Sequence, residues 1–183
     1  MQTSSLQSGS ISPAVPKPST RRRRGIIIAA VTVVVFVLWY LFRPELLFID
    51  KHVDEAFPVA NSGSPGTSPG RIVAQGTLHA AAHETKGTAA IYEMPNGNHL
   101  LRLTSFVTSN GPDVHVVLGK AADASDNATV KDGGYVDLGS LKGNIGDQNY
   151  EIPTDVNLSA YHSVTIWCKR FSVNFGTAPL QVH

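Results

Sequence analysis

The chain has 183 residues, of which 42% are hydrophobic and only 16% charged, and it carries a formal net charge of +1 and a single cysteine. That charge is unevenly placed: residues 1–42 hold five Lys or Arg and no acid, whereas residues 71–183 hold eight Lys or Arg against ten Asp or Glu. A nucleic-acid partner is excluded for the C-terminal part, because phosphate neutralisation needs clustered positive charge. One cysteine likewise excludes an intrachain disulfide framework and a cysteine-rich zinc site.

Met1 to Thr20 is rich in Ser, Pro and Gln, a composition that buries too little apolar surface to fold. With Arg21 to Arg24 it makes a disordered tail over 1–24. Gly25 to Phe42 (GIIIAAVTVVVFVLWYLF) then runs eighteen residues without a charge. As a helix it spans about 27 Å, close to the thickness of a bilayer's hydrocarbon core. Trp39 and Tyr40 stand at its far end, where amphipathic rings favour the headgroup zone, and the arginine run stands at its near end. Residues 25–42 therefore read as a transmembrane helix with the bilayer as partner. Positive residues stay inside, so the N-terminus is expected in the cytoplasm and the remainder outside it. A cleaved signal peptide fits less well, since the apolar block exceeds the usual 7–15 residues and no small-x-small site follows it.

Residues 43–70 combine a juxtamembrane stretch, apolar at Leu46, Leu47, Ile49 and Val53, with a Ser/Pro/Gly linker from Pro58 to Gly70. Such a linker would hold the following domain off the membrane. From Arg71 the pattern changes to short alternating runs punctuated by Gly, Pro, Asn and Asp. Strands are expected at 72–79, 87–93, 99–104, 114–118, 135–138 and 163–168. Asn96-Gly97 supplies the positive φ of a tight turn, so 87–93 and 99–104 should form a hairpin. Strands at intervals of roughly ten residues predict an all-β antiparallel sandwich over 71–183.

Several side chains in this domain carry possible chemistry. Cys168 shares a strand face with Val164 and Ile166, and Trp167 shares the other with Thr165 and Lys169. If the first face is core, the thiol is a small buried hydrophobe; if it reaches the surface, Lys169 and Arg170 provide a positive surround that favours thiolate. Parity then changes, because Phe171, Val173 and Phe175 continue the Trp167 set, and a bulge or bend near 169–171 would reconcile the two. Asn110, Asp113, Gln148 and Asn149 stand in loops where they either close a turn or meet a ligand. His83 and His115 are weak candidates for a metal or haem site, since imidazole is a common ligand but nothing in their spacing demands convergence. Asp113 and His115, two apart in a strand, point the same way and allow an acid–base pair. No cofactor is required by the sequence, and no Gly-x-Ser-x-Gly elbow marks a hydrolase. Asn127-Ala128-Thr129 and Asn157-Leu158-Ser159 match the glycosylation pattern.

Tyr135-Val136-Asp137-Leu138-Gly139, the run Leu141 to Tyr150, Val164 to Gly176, Gly76-Thr77-Leu78 and Ser109 to Val116 together carry a family likeness. At these residues the chain resembles the DM-thirteen domain, also described as an electron-transfer domain, over about residues 71–180. The resemblance implies a β-sandwich with one characteristic cysteine, here Cys168, as the residue proposed for redox work. Some members sit beside other electron-transfer modules; this sequence shows no second one. Two functions are thus expected to compete: a membrane-anchored redox module with a redox partner, and a non-catalytic surface module whose loops bind a ligand.

Overall fold

The computed structural model describes residues 20–42, 49–58 and 70–183. The expected tail before residue 20, the first part of the juxtamembrane stretch and most of the Ser/Pro/Gly linker (59–69) lie outside the described residues. The chain divides into two compact units, residues 1–42 and 43–183.

In the first unit, α1 runs Thr20–Phe42. Its apolar residues surround the helix, and none of Ile26, Val33, Phe36 or Trp39 is buried. In water such a helix would leave its apolar surface unpaid; in hydrocarbon the same surface is solvated. The Thr32 hydroxyl donates to the Ile28 carbonyl at 2.9 Å, so even this polar group is satisfied within the helix. The stretch Arg23–Leu41 is long and apolar enough to cross a membrane.

The second unit is a sandwich of two five-stranded antiparallel sheets. Its strands are β1 (Arg71–Thr77), β2 (His79–Ala80), β3 (Lys86–Glu93), β4 (His99–Val107), β5 (Val114–Gly119), β6 (Tyr135–Ser140), β7 (Gln148–Ile152), β8 (Ser163–Cys168), β9 (Val173–Pro179) and β10 (Gln181–Val182). The first sheet is ordered β10-β1-β3-β4-β7 and the second β2-β9-β8-β5-β6. The β3–β4 hairpin closes through Met94–Asn98 as the Asn-Gly pair predicts, with Gly97 at φ 80° and Met94 N–H donating to the Asn98 carbonyl. Alternating residues of both sheets meet in one core that includes Leu101, Leu103, Phe106, Val116, Ile166 and Phe175. A short helix, α2 (Asn127–Gly133), is capped by Asp126, whose side chain accepts from Thr129 N–H at 2.7 Å. It helps cover the outer face of the second sheet, where Val130 packs with Val117 and Trp167.

All six expected strands are present, but the run 72–79 breaks at Leu78: β1 ends at Thr77 in the first sheet and His79 starts β2 in the second. Four more were not expected, of which β9 is the most instructive. Lys169–Ser172 forms the turn of a β8–β9 hairpin, with Ser172 at φ 51°. A bulge then falls in β9, because Ile166 pairs with Gly176 while Trp167 pairs with Asn174, leaving Phe175 extra. Turn and bulge together bring Phe175 to the core with Ile166, which resolves the parity conflict seen in the sequence.

Residues 49–58 form no helix. They lie extended along Asn144–Asn149, with a parallel bridge between His52 and Ile145. Val53 N–H donates to the Ile145 carbonyl and Glu55 N–H to the Asp147 carbonyl, each at 2.9 Å. Lys51 N–H donates to Asn144 Oδ1 at 2.7 Å. The Glu55 carboxylate accepts from Lys142 Nζ at 2.8 and 2.9 Å and from Asn149 N–H at 2.7 Å. Phe57 meets Tyr92 edge-on at 4.8 Å. This strap explains two glycines: a Cβ on Gly143 would stand 2.4 Å from Lys51 O, and one on Gly146 would stand 2.0 Å from Val53 O. Residues 49–57 are thus an integral edge of the sandwich.

Candidate functional site

Strand alternation sends Val164, Ile166 and Cys168 into the space between the sheets and Thr165 and Trp167 to the outer face. Cys168 is 1% exposed and belongs to the main core. Its Cα partners are Val114 in β5 and Val173 in β9. The neighbouring Lys169 N–H donates to the Asp113 carbonyl, so Cys168 and Val114 form the non-hydrogen-bonded kind of pair, in which side chains approach most closely. Val114 is also a wall of an open cleft of about 220 Å³, lined further by Lys51, Asn110, Asp113, Ser140 and Asn144. The sulfur therefore lies beside the residue that walls an open cleft. Gly111 makes this cover close, since a Cβ there would lie 2.6 Å from Val114 Cγ2 and 2.9 Å from Phe175 Cζ.

The other expected site residues go to separate places. Trp167 is buried against the outer cluster with Val117, Ala124 and Val130. Lys169 and Arg170 are exposed in the hairpin turn. Lys169 Nζ donates to Asp137 Oδ2 at 2.9 Å on the outer face, on the side opposite the sulfur. That carboxylate raises the Lys169 ammonium above its ordinary value. Arg170 is brought to no described partner. Asn110 donates to the Ile49 carbonyl at 2.8 Å and so pins the start of the strap.

Gln148 is fully buried and closes the 142–148 loop from within. Its Oε1 accepts from Lys142 N–H and Tyr150 Oη, and its Nε2 donates to the Gly143 carbonyl. Burial, reinforced by the Glu55 charge, pushes the Tyr150 phenol up to about 12, so it stays a neutral donor to Gln148. Asn149 takes the strap's end: its N–H donates to Glu55 and its Nδ2 to the Ala56 carbonyl. At Glu55 burial alone would raise the carboxyl; the Lys142 ammonium and the Asn149 N–H outweigh it and hold the group below its ordinary value.

His83 and His115 are not brought together. The His83 ring lies 3.9 Å from that of Phe175, centroid to centroid. His115 stands on the outer face between two carboxylates, with Nδ1 2.9 Å from Asp137 Oδ1 and Nε2 3.2 Å from Asp113 Oδ1. The expected Asp113–His115 pair thus exists, and Asp137 joins it from β6. Burial raises the Asp137 carboxyl, but Lys169, His115 and the Gly139 N–H overcome this and lower it. Among the described residues no group of three or more His, Cys, Asp or Glu is disposed to hold a metal ion.

Sequence reasoning missed Asp137, Ser140, Glu55 and Lys142. The first two reach the cluster through the β5–β6 pairing, whose bulge between Val116 and Val117 no local pattern announces. Glu55 and Lys142 meet across 87 positions of sequence.

What this arrangement offers chemically is a lone thiol in an apolar setting, one side chain behind a polar cleft, with an acid–histidine–acid cluster on the opposite face of the same sheet. No curated protein and no solved structure matches the chain. A match to the family described as Electron transfer DM13 spans residues 77–180, more than half of the chain, and takes in the sandwich from the end of β1 through β9, leaving out the strap of residues 49–58 and β10. The chain belongs to the Electron transfer DM13 family.

Proposed function

We propose that the sandwich is a redox module working through Cys168 and held at a membrane by α1, with the arginine-flanked N-terminus in the cytoplasm and the sandwich outside. The observation that carries this reading is the position of the chain's one cysteine against Val114, the wall of the cleft. Family membership supplies the class of chemistry. A buried thiol is inert while it stays buried, so the reaction needs a local opening in which Val114 and the Gly111 loop move away.

In the open state the Cys168 thiolate attacks one sulfur of a disulfide in a partner molecule. An S–S bond forms between Cys168 and that sulfur, the partner's own S–S bond breaks, and the second partner sulfur leaves as a thiolate. A thiolate of a second partner's dithiol then attacks the Cys168 sulfur, forming a new mixed disulfide and releasing the first partner's remaining sulfur as a thiolate. The dithiol's other thiolate attacks its own bonded sulfur, closes that partner's disulfide and frees the Cys168 thiolate, so two electrons pass from the second partner to the first.

The test uses the full chain in detergent micelles, incubated with oxidised glutathione and analysed by mass under native conditions. The expected result is one glutathione adduct per chain at Cys168, reversed by reductant and absent in Cys168→Ala. Adduct formation only under denaturing conditions would refute the proposal. It would favour a second reading, that of a binding module, for which the burial of Cys168 and the polar lining of the cleft speak. In that case substitution of Asn144 would abolish ligand binding and Cys168→Ala would spare it.

A further inference from the structure

We propose that Ser140, His115 and Asp137 form a nucleophile–base–orienter relay at the cleft rim, competent for acyl transfer from a small ester. This activity is independent of thiol chemistry at Cys168. Ser140 Oγ lies 3.3 Å from His115 Nε2, and His115 Nδ1 lies 2.9 Å from Asp137 Oδ1. Both links of a serine–histidine–acid arrangement are therefore in place, and such sites are recognised by geometry and roles rather than by sequence order. His115 is 13% exposed at its side chain, whereas Ser140 is exposed, so the base is held and the nucleophile is accessible.

The fold fixes these positions. His115 and Ser140 are Cα partners across β5 and β6, and Leu141 N–H donates to the Val114 carbonyl beside them. They are consequently a non-hydrogen-bonded pair: their side chains are close and the Ser140 N–H points away from β5. Because β6 is the edge of its sheet, that N–H is available to an oxyanion at the open edge. The bulge in β6 places Asp137 where its Oδ1 reaches His115 Nδ1, and its orientation is fixed further by the Gly139 N–H at 2.9 Å and Lys169 Nζ at 2.9 Å.

Asp113 gives the cluster its second function. In neutral His115 with the proton on Nδ1, the Nε2 lone pair accepts a donor, and the Ser140 hydroxyl is one while a carboxylate is not. After Nε2 takes the Ser140 proton, its N–H faces Asp113 Oδ1, a charge-assisted acceptor for the imidazolium formed in that step.

The reaction balances as follows. Ser140 Oγ bonds to the ester carbonyl carbon while its proton passes to His115 Nε2. The carbon–oxygen bond to the leaving alcohol breaks, and His115 returns the proton to that oxygen. Water, deprotonated by the same nitrogen, then attacks the acyl-serine and releases a carboxylic acid with Ser140 restored. Asp113 and Ser140 both line the cleft, whose volume of about 220 Å³ fits only a small acyl group.

The experiment treats the full chain in detergent micelles with a fluorophosphonate probe, maps the adduct by peptide mass, and follows p-nitrophenyl acetate hydrolysis in parallel. Ser140 should carry the phosphonyl group. Ser140→Ala should lose both signals, and His115→Gln should slow labelling roughly 100-fold or more. Because Ser140 is exposed, Ser140→Ala keeps the fold, and thermal melts check His115→Gln. Absence of an adduct at Ser140, or labelling of a folded His115→Gln chain at the wild-type rate, would overturn the proposal.

Discussion

Replacing Gly143 with Ala tests the strap without straining the backbone, since Gly143 is not among the residues with positive φ. The added methyl would meet Lys51 O at 2.4 Å and Val53 Cγ2 at 2.8 Å, so the strap has to lift. Lifting removes three hydrogen bonds: Lys51 N–H to Asn144 Oδ1, Ile145 N–H to the Lys51 carbonyl, and Val53 N–H to the Ile145 carbonyl. At about 1 kcal/mol net each, the loss is about 3 kcal/mol. The Glu55–Lys142 pair adds little, because its side chains are 33% and 40% exposed. For a domain of this size, thermal unfolding should fall by roughly 10 °C. Amide exchange should show lost protection at Val53 and Glu55, with Val164 to Ile166 still protected. The decisive control is a double-mutant cycle with Val53→Pro, which removes a strap donor on its own. In that background Gly143→Ala should cost far less. An equal cost in both backgrounds would show that the glycine accommodates something other than the strap.

Other consequences are quicker to check. Glu55 has its folded carboxyl below the ordinary value, so its ionised form stabilises the domain at neutral pH; as pH falls through and below 4.5 the unfolded chain takes up the proton first and that stability is lost. Melting temperature against pH should drop in that window, and Glu55→Gln should be less stable than wild type at pH 7 but flatten the drop; an unchanged drop would show that other carboxylates cause it. At Cys168, Ala leaves a small void costing about 1 kcal/mol, whereas Ser buries an unpartnered hydroxyl at about 1–3 kcal/mol. Cys168→Ala should therefore melt higher than Cys168→Ser, and the reverse order would show a polar partner at the sulfur. Gly146→Ala should cost more than Gly143→Ala in the same melts, because Gly146 adds a φ of +104° to its clash with Val53.

Much of the fold was written in local pattern. Alternation marked β1, β3, β4, β5, β6 and β8, and Asn96-Gly97 marked the hairpin turn, because both signals act over a few residues. β7 and β9 escaped for physical reasons. The inward residues of β7 include Gln148, a polar side chain paired entirely with its own loop. β9 carries a bulge that breaks the period of two at Phe175. The strap was invisible because its partners Asn144, Asp147 and Asn149 lie more than ninety positions further along the chain. For the site, the sequence singled out Cys168 and framed its burial as the deciding question; the fold makes it core. It also paired Asp113 with His115, but the third and fourth members arrive only through the register of β6.

The proposed redox role requires the sulfur of Cys168 to reach solvent without unfolding of the sandwich. Its most direct test is the rate at which an aromatic disulfide reagent modifies the native full chain, relative to the denatured chain, across low urea concentrations. A local opening at Val114 costing about 3–4 kcal/mol would slow the reaction by roughly 10²–10³, with little dependence on urea. Protection equal to the full unfolding equilibrium, diminishing with urea along the slope of global unfolding, would contradict it.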